Sequence, residues 1–386
     1  MTFSALVNDY YTIILLALAG VGFVALALYY GLVCLRCGVF KRWHPRLRPQ
    51  PVAEAGGSGH VSVVLTSHNE AAYLKDNLVY LLEQDYPDLE VVVVDYTSED
   101  DTKFVLRVCG ENYNNLKPVE FREDINSFRG KKYPLSIGIQ SAKDGIILLT
   151  DPDCRPASFN WVREMAASYH PSTQMVLGYT GIKAGTGLLN ILAQYDNVTH
   201  TAHYISAALA GRPYTGNGRN LSYRRGFFFD KGAFIKHYSV PDGADDLFVN
   251  ANATRSNTVV NVERDAWTEV EPYASMRQWQ NSRRHRFATK KYYPLGQLLG
   301  RMVPPAALCL FVAALVAAVV HMPALWPVAV GAVVVKCAWQ IVCYAKLCKR
   351  FEVKKVYPFA PLLELYFLVA DTIMFISTLK RGKHHR

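Results

Sequence analysis

No residue from Tyr10 to Leu35 carries a charge, and the run is rich in Leu, Ala, Val and Ile. It exceeds the roughly 20 residues a helix needs to cross a bilayer, which excludes an ordinary soluble N-terminal segment. Basic residues are missing ahead of the run as well. Asp9 precedes it, whereas Arg36, Lys41, Arg42, Arg46 and Arg48 follow. A cleavable signal peptide has the opposite order and a shorter apolar core. The run therefore reads as a retained anchor, with the chain after Leu35 cytosolic by the positive-inside rule.

Other absences narrow the field. Of eight cysteines, Cys34 and Cys37 form one Cys-x-x-Cys, but no second pair and no histidine pair completes four zinc ligands. No internal repeat or low-complexity tract argues for a solenoid or a disordered arm. The net charge of +10, from 42 basic and 32 acidic residues, does not form a basic stripe interleaved with aromatics. It gathers at 36–48, Arg283 to Lys291, Lys346 to Lys355 and Lys380 to Arg386, at the borders of apolar runs. That pattern fits anionic headgroups and argues against nucleic acid as a partner. The sequon Asn197-Val198-Thr199 is expected to stay unmodified in the cytosol.

A linker, PRLRPQPVAEAGGSG, separates the anchor from a different pattern. His60 to Leu65 and Glu90 to Val94 read as buried strands, and so does Gly145 to Leu149. Glu70 to Gln84 reads as a helix with Leu74, Leu78, Leu81 and Leu82 on one face. Short apolar strands alternating with helices predict an α/β domain with a mostly parallel sheet and helices on both faces. Val303 to Val320 and Ala324 to Tyr344 predict a transmembrane hairpin broken at His321-Met-Pro323. Phe359 to Leu379 is apolar but holds Glu364 and Asp371, seven apart and so on one helical face. A third crossing there would export the basic tail against the charge rule, so this segment reads equally as a span or as an interfacial helix. The expected divisions are an anchor (1–35), a basic linker (36–59), a cytosolic domain (60–294) and a membrane region (295–386).

The chemistry-bearing segments are carboxylate-rich. In TDPDCRP, Asp151 and Asp153 follow a buried strand directly. The C-terminal ends of parallel strands open onto the crevice where such sheets bind ligands. Two carboxylates there can hold Mn²⁺ or Mg²⁺, which favour carboxylate and phosphate oxygens. Asp95 ends the EVVVV strand at the same rim. Asp245 and Asp246, in PDGADDLF, read either as a helix cap and first-turn acid or as a general base. In QWQNSRRHRF, Arg283, Arg284 and Arg286 beside Gln280 can clamp phosphates. The same residues also suit a basic helix on the membrane surface.

In order, these segments resemble membrane-bound family 2 glycosyltransferases, the group that includes cellulose, hyaluronan and chitin synthases and ceramide glucosyltransferase. The resemblance covers roughly His60 to Tyr293. It implies a Rossmann-like GT-A fold and inverting transfer by single displacement. VVLTSHNEAAYL is similar to the opening motif and implies that Thr66, His68 and Glu70 lie near the nucleotide base and ribose. VVVVDYTSEDDT implies a base contact for Asp95, with Tyr96 where the family often has a second Asp. The stretch FRGKKYPLSIGIQSAKDGIILLTDPDC implies Lys131 near the nucleotide, and Asp151 and Asp153 as donor and metal carboxylates. TGNGRNLSYRR resembles the acceptor-side segment, with Gly218 and Asn220; the Ala244-Asp245-Asp246 triplet makes Asp246 the implied base. Gln280 and Arg283 fit Gln-x-x-Arg-Trp, but Arg284 stands where Trp would be.

The resemblance implies a nucleotide-sugar donor, a UDP-sugar first among them, and a lipid or glycan acceptor among membrane lipids. The products implied are glycolipid, lipid-linked oligosaccharide or exopolysaccharide. A processive polysaccharide synthase is the alternative within the class. An inactive membrane scaffold is one reading outside it, and a transport subunit, suggested by Glu364 and Asp371, is the other.

Overall fold

In the computed structural model of the protein, residues 3–39, 59–121 and 130–381 are described. Lys41, Arg42, Arg46 and Arg48, the linker up to Ser58 and the final residues of the basic tail lie outside them. The chain opens with α1 (Phe3–Tyr29), which continues through a π-helical segment (Tyr30–Leu35) into α2 (Arg36–Val39). Next come β1 (Val61–Ser67), α3 (Ala71–Leu82), β2 (Leu89–Tyr96), α4 (Thr102–Asn112), β3 (Leu116–Phe121), α5 (Lys132–Ser141) and β4 (Ile146–Leu149). Then follow β5 (Cys154–Pro156), α6 (Trp161–Ala166), β6 (Met175–Leu177), β7 (Thr180–Ile182), α7 (Gly187–Leu209), β8 (Leu221–Arg224) and α8 (Arg225–Asp230). The last elements are α9 (Asp246–Asn252), β9 (Thr258–Val260), β10 (Thr268–Val270), α10 (Met276–Ala288), α11 (Leu295–His321), α12 (Trp326–Arg350) and α13 (Ala360–Arg381). Two units emerge: residues 1–40, 194–206 and 290–386, and residues 41–193 and 207–289.

The second unit is built on a seven-stranded sheet of order β3-β2-β1-β4-β8-β6-β9. All seven residues of β1 are buried. The sheet's alternation explains why. Val61, Val63 and Leu65, with Val91 and Val93, join one core with Leu74, Leu78 and Leu81 of α3 and Trp161 of α6. Val64 and Val94 point the other way, against α5, whose Gly138 lies so close that a Cβ would come within 2.7 Å of Val64 and 2.8 Å of Val94. Helices on both faces leave no solvated side, hence the continuous apolar runs.

The pairing is mostly parallel, but β8 runs antiparallel to both β4 and β6. A second sheet, β5-β10-β7, was not expected from the sequence. Its strands are three residues long, too short for a periodic signal.

Among its described residues the first unit holds four helices long and apolar enough to cross a membrane: Tyr10–Val39, Leu295–His321, Pro323–Arg350 and Tyr357–Thr378. Gly22 lets α1 meet α11 backbone to backbone, since a Cβ there would sit 2.9 Å from Ala307 O and Phe311 N. Small residues permit this approach where lipid gives helices no hydrophobic reason to associate. Glu364 in α13 does not face lipid. It is hydrogen-bonded to Tyr30 and ion-paired with Lys336, which also donates to Gln340 Oε1 at 2.7 Å. Lys336 and Gln340 are buried. A neutralised acid of this kind is compatible with an apolar helix in a way that a lone acid is not.

Candidate active site

The register of the sheet gathers the acidic residues. Ser67 lies beside Asp95, and Val64 beside Leu149, so the C-terminal ends of β1, β2 and β4 open on one rim. Because β8 runs the other way, Leu221 at its start pairs with Leu149 at the end of β4. The turn Gly218–Asn220 is thereby delivered next to Asp151 and Asp153.

Strain marks this rim. Asn69 and Thr97 have φ of 55° and 50°. Asn tolerates the left-handed region, but a β-branched residue there is an outlier. Asn69 is held by Ser98 Oγ on its N–H (3.0 Å) and by Glu99 N–H on its Oδ1 (2.8 Å). Thr66 and Asp95 are buried at the strand ends, and Asp95 accepts from Ser98 N–H at 3.3 Å. His68 Nδ1 is 2.6 Å from Tyr96 O. Tyr96 stacks on Phe121 with centroids 5.7 Å apart, and Phe121 meets Tyr133 edge-on at 5.1 Å. The three rings form an aromatic ledge, a flat surface suited to a planar base.

Deeper in, Lys131 Nζ lies 2.8 Å from Asp151 Oδ1, and Arg219 bridges Asp151 Oδ2 (3.3 Å) and Asp153 Oδ2 (2.6 Å). Burial opposes ionisation of Asp151, but Lys131 and Arg219 outweigh it and hold its pKa down at about 2. Lys131, with its side chain 58% exposed, in turn sits above the ordinary lysine value because Asp151 beside it favours the charged ammonium. Glu70 shares this neighbourhood: burial pushes its carboxyl up to about 7, with Lys131 pulling down and Asp151 pushing up.

Asp245 and Asp246 belong to a second wall. Asp245 precedes α9 without capping it; its Oδ2 accepts from Gly218 N–H at 2.8 Å. Asp246, in the first turn, is buried, accepts from Leu247 N–H at 2.7 Å and is hydrogen-bonded by Thr289 Oγ. Lys132 braces the loop ahead of them, donating to His237 O (2.6 Å) and Val240 O (2.9 Å). Burial lowers its pKa to about 8, against the pull of Asp246, Asp242 and Asp245. Gly130, at φ 108°, passes so close to Pro241 O that a Cβ would lie 2.2 Å away, which only glycine allows.

Two expectations need correction. Asn220 is not available to an acceptor. It is fully buried, donates to Tyr179 O and Ala266 O at 2.8 Å each, and accepts from Trp161 Nε1 at 3.2 Å. Its polar atoms hold the turn together. Nor do Arg283 and Arg284 form one clamp, since adjacent helical residues face different ways. Arg283 is buried with its guanidinium 5.0 Å from the Trp279 ring and 5.5 Å from Phe287. Arg284 is exposed and donates to Asn281 Oδ1 at 3.0 Å, while Gln280 is half-buried. Arg219, Lys132 and Thr289 escaped sequence reasoning, because their importance comes from pairings far apart in the chain.

Among the described residues no group of three or more His, Cys, Asp or Glu side chains gathers to hold a metal ion. Asp151 and Asp153 nonetheless fit Mn²⁺ or Mg²⁺ by donor type: hard carboxylate oxygens, already facing positive charge, in a number such metals accept when substrate phosphates complete the shell.

Comparison with known proteins bears on the fold. Residues 62–232 match the model of the Glycosyl transferase family 2 domain. The glycosyltransferase AglE of Haloferax volcanii is 33% identical over 98 residues, which is 25% of this chain and 31% of that relative's own length. Among solved structures, the mannosyltransferase PcManGT of Pyrobaculum calidifontis, in complex with GDP-Man and Mn²⁺, is 22% identical. The match covers 90% of this chain and 99% of that one, with a TM-score of 0.54. S. aureus TarS 1-349, in complex with UDP-GlcNAc, is 16% identical over 85% of this chain and 92% of its own, with a TM-score of 0.42. Residues 62–232 thus match the Glycosyl transferase family 2 model, the fold is the GT-A fold, and among the described residues four helices are long and apolar enough to span a membrane.

Proposed function

We propose that this glycosyl transferase domain, spanning 60–294 between a membrane anchor with its basic linker and a C-terminal membrane region, moves a sugar from a nucleoside-diphosphate donor to a membrane-associated acceptor hydroxyl. The transfer is an inverting single displacement on the cytosolic side of a multi-pass protein. The observation that carries this reading is the convergence of Asp95, Asp151 and Asp153 on one rim, with Asp245 joined to the Gly218 turn beside them.

Each residue has a task. Thr66, His68, Glu70, Asp95 and the Tyr96–Phe121 ledge receive the nucleoside, and Lys131 meets its phosphates. Asp246 takes the proton of the acceptor hydroxyl as that oxygen attacks the anomeric carbon, and the nucleoside diphosphate departs. Asp245 and Lys132 orient the loop that carries it. Mn²⁺ or Mg²⁺ held by Asp153 and Asp151 would supply neutralisation of the charge that builds on the leaving diphosphate. Gln280 and Arg284 offer polar contacts from α10, while buried Arg283 steadies that helix.

UDP is the nucleotide favoured by the resemblance; a GDP-Man-bound relative shares the fold. A small membrane part suits a lipid acceptor better than a polymer channel. The test is to incubate the purified protein with radiolabelled nucleotide sugar and membrane lipid. Label in an organic-extractable product supports a lipid acceptor. A high-mass polysaccharide from the protein alone would instead establish processive synthesis.

A further inference from the structure

All four oxygens of Asp151 and Asp153 are engaged within the protein. Asp151 gives one oxygen to Lys131 and the other to Arg219; Asp153 gives one to Arg219 and the other to Cys154 Sγ–H at 3.4 Å. A metal that bridges these two carboxylates meets a resident cation on both of them. Arg219 is the cation that spans the pair, whereas the more exposed Lys131 touches Asp151 alone. The Arg219 carbonyl accepts from Thr150 Oγ (3.3 Å) and Thr268 Oγ (3.1 Å), its N–H donates to Asn217 Oδ1 (3.2 Å), and Asn220 anchors the next position. The backbone is pinned, while the side chain stays 24% exposed.

We propose that Arg219 is a resident counter-cation, which bridges Asp151 and Asp153 in the donor-free protein and transfers to the donor's diphosphate when metal and nucleotide enter together. This rests on the reading of Asp151 and Asp153 as the donor and metal carboxylates. Formal charge supports the exchange. Two carboxylates face two cations, Lys131 and Arg219, and sum to zero. A divalent metal with a diphosphate carrying two negative charges adds zero, so both can enter without leaving a charge unbalanced. The metal alone would crowd two positive charges against two more. A guanidinium fork matches phosphate oxygens as well as carboxylate oxygens, so Arg219 finds an equivalent partner after it moves. The consequence is reciprocal coupling between metal and nucleotide binding.

The experiment is Mn²⁺ titration of the full chain in micelles, followed by the paramagnetic resonance signal of free Mn²⁺, with and without a UDP-sugar or GDP-sugar, the Mn²⁺ that the nucleotide sugar binds in a protein-free titration being subtracted. Wild type is expected to bind Mn²⁺ weakly alone and about tenfold or more tightly with nucleotide. Arg219→Gln should bind Mn²⁺ alone about tenfold more tightly than wild type, and nucleotide should add little. Arg219→Gln binding Mn²⁺ alone no more tightly, with the nucleotide effect intact, overturns the proposal. So does wild-type Mn²⁺ affinity that is indifferent to nucleotide, a result that needs no variant to fold. Asp153→Asn separates the two levels. If it keeps wild-type Mn²⁺ affinity in the presence of nucleotide, the site reading itself fails; if it loses that affinity while Arg219→Gln gains none, only the Arg219 proposal fails.

Discussion

Both units of this protein pair carboxylates with cations, and the two pairings differ in what surrounds them. In the transferase unit, the side chains of Asp151, Asp153 and Arg219 are 24%, 26% and 24% exposed on a rim where strands end. In the membrane unit, Lys336 is 6% exposed and Glu364 15%, closed in by Tyr30 and Gln340. The first set can exchange partners with an incoming charged ligand. The second cannot, because any separation would leave a charge in a low-dielectric interior. The same chemistry thus serves ligand exchange in one setting and helix registration in the other, and accessibility rather than residue type decides which.

That contrast can be broken at several points. The largest effect is expected from Asp246→Asn, which removes the proton acceptor and should lower nucleoside diphosphate release by about 10²–10⁴-fold. Retained turnover would move the base elsewhere. Lys336→Ala should destabilise the membrane unit by about 3–5 kcal/mol, since Glu364 is left buried and unpaired. Replacing both, as Lys336→Met with Glu364→Leu, should come out near neutral; thermal unfolding in micelles checks both. A harmless Lys336→Ala would mean that the pair registers nothing.

Glu70 gives a pH-dependent sign. Its carboxyl lies at about 7 in the folded protein against an ordinary 4.5, so the folded state binds the proton more tightly. Ionising it therefore costs stability, increasingly as pH rises from about 4.5 through 7 and constantly above. Glu70→Gln should raise the unfolding temperature at pH 8, by an amount corresponding to about 1–3 kcal/mol, and leave it unchanged near pH 4.5. A stabilisation confined to acid would reverse the account of its burial. The smallest effect belongs to exposed Arg284, where Ala should shift stability by no more than about 0.5 kcal/mol.

The elements that could be read from the chain were those with a local signature. β1, β2 and β4 hold the short apolar runs Val63–Leu65, Val91–Val94 and Ile146–Leu149, α3 shows its leucines at helical spacing, and the apolar stretches outlined the membrane helices. The helices extend further than those runs, α11 starting at Leu295 despite Pro304 and Pro305. What escaped was non-local. The antiparallel pairing of residues 146–149 with 221–224 is set by the whole sheet, and it is what brings Arg219 to the acids. Lys336 and Glu364 meet across two helices, so Glu364 alone could not be read as neutralised. Trp279, Arg283 and Phe287 recur every four residues, which marks Arg283 as lying on the apolar face of its helix.

The central claim, that this acidic rim transfers a sugar from a nucleotide donor, is tested most directly by nucleoside diphosphate release. Purified protein would be incubated with Mn²⁺ and a panel of nucleotide sugars, with membrane lipid as acceptor, beside the Asp153→Asn and Asp246→Asn variants. Release from at least one donor is expected, dependent on the metal and lost in both variants. Release that persists undiminished in both variants, or none from any donor by the intact protein, would contradict it.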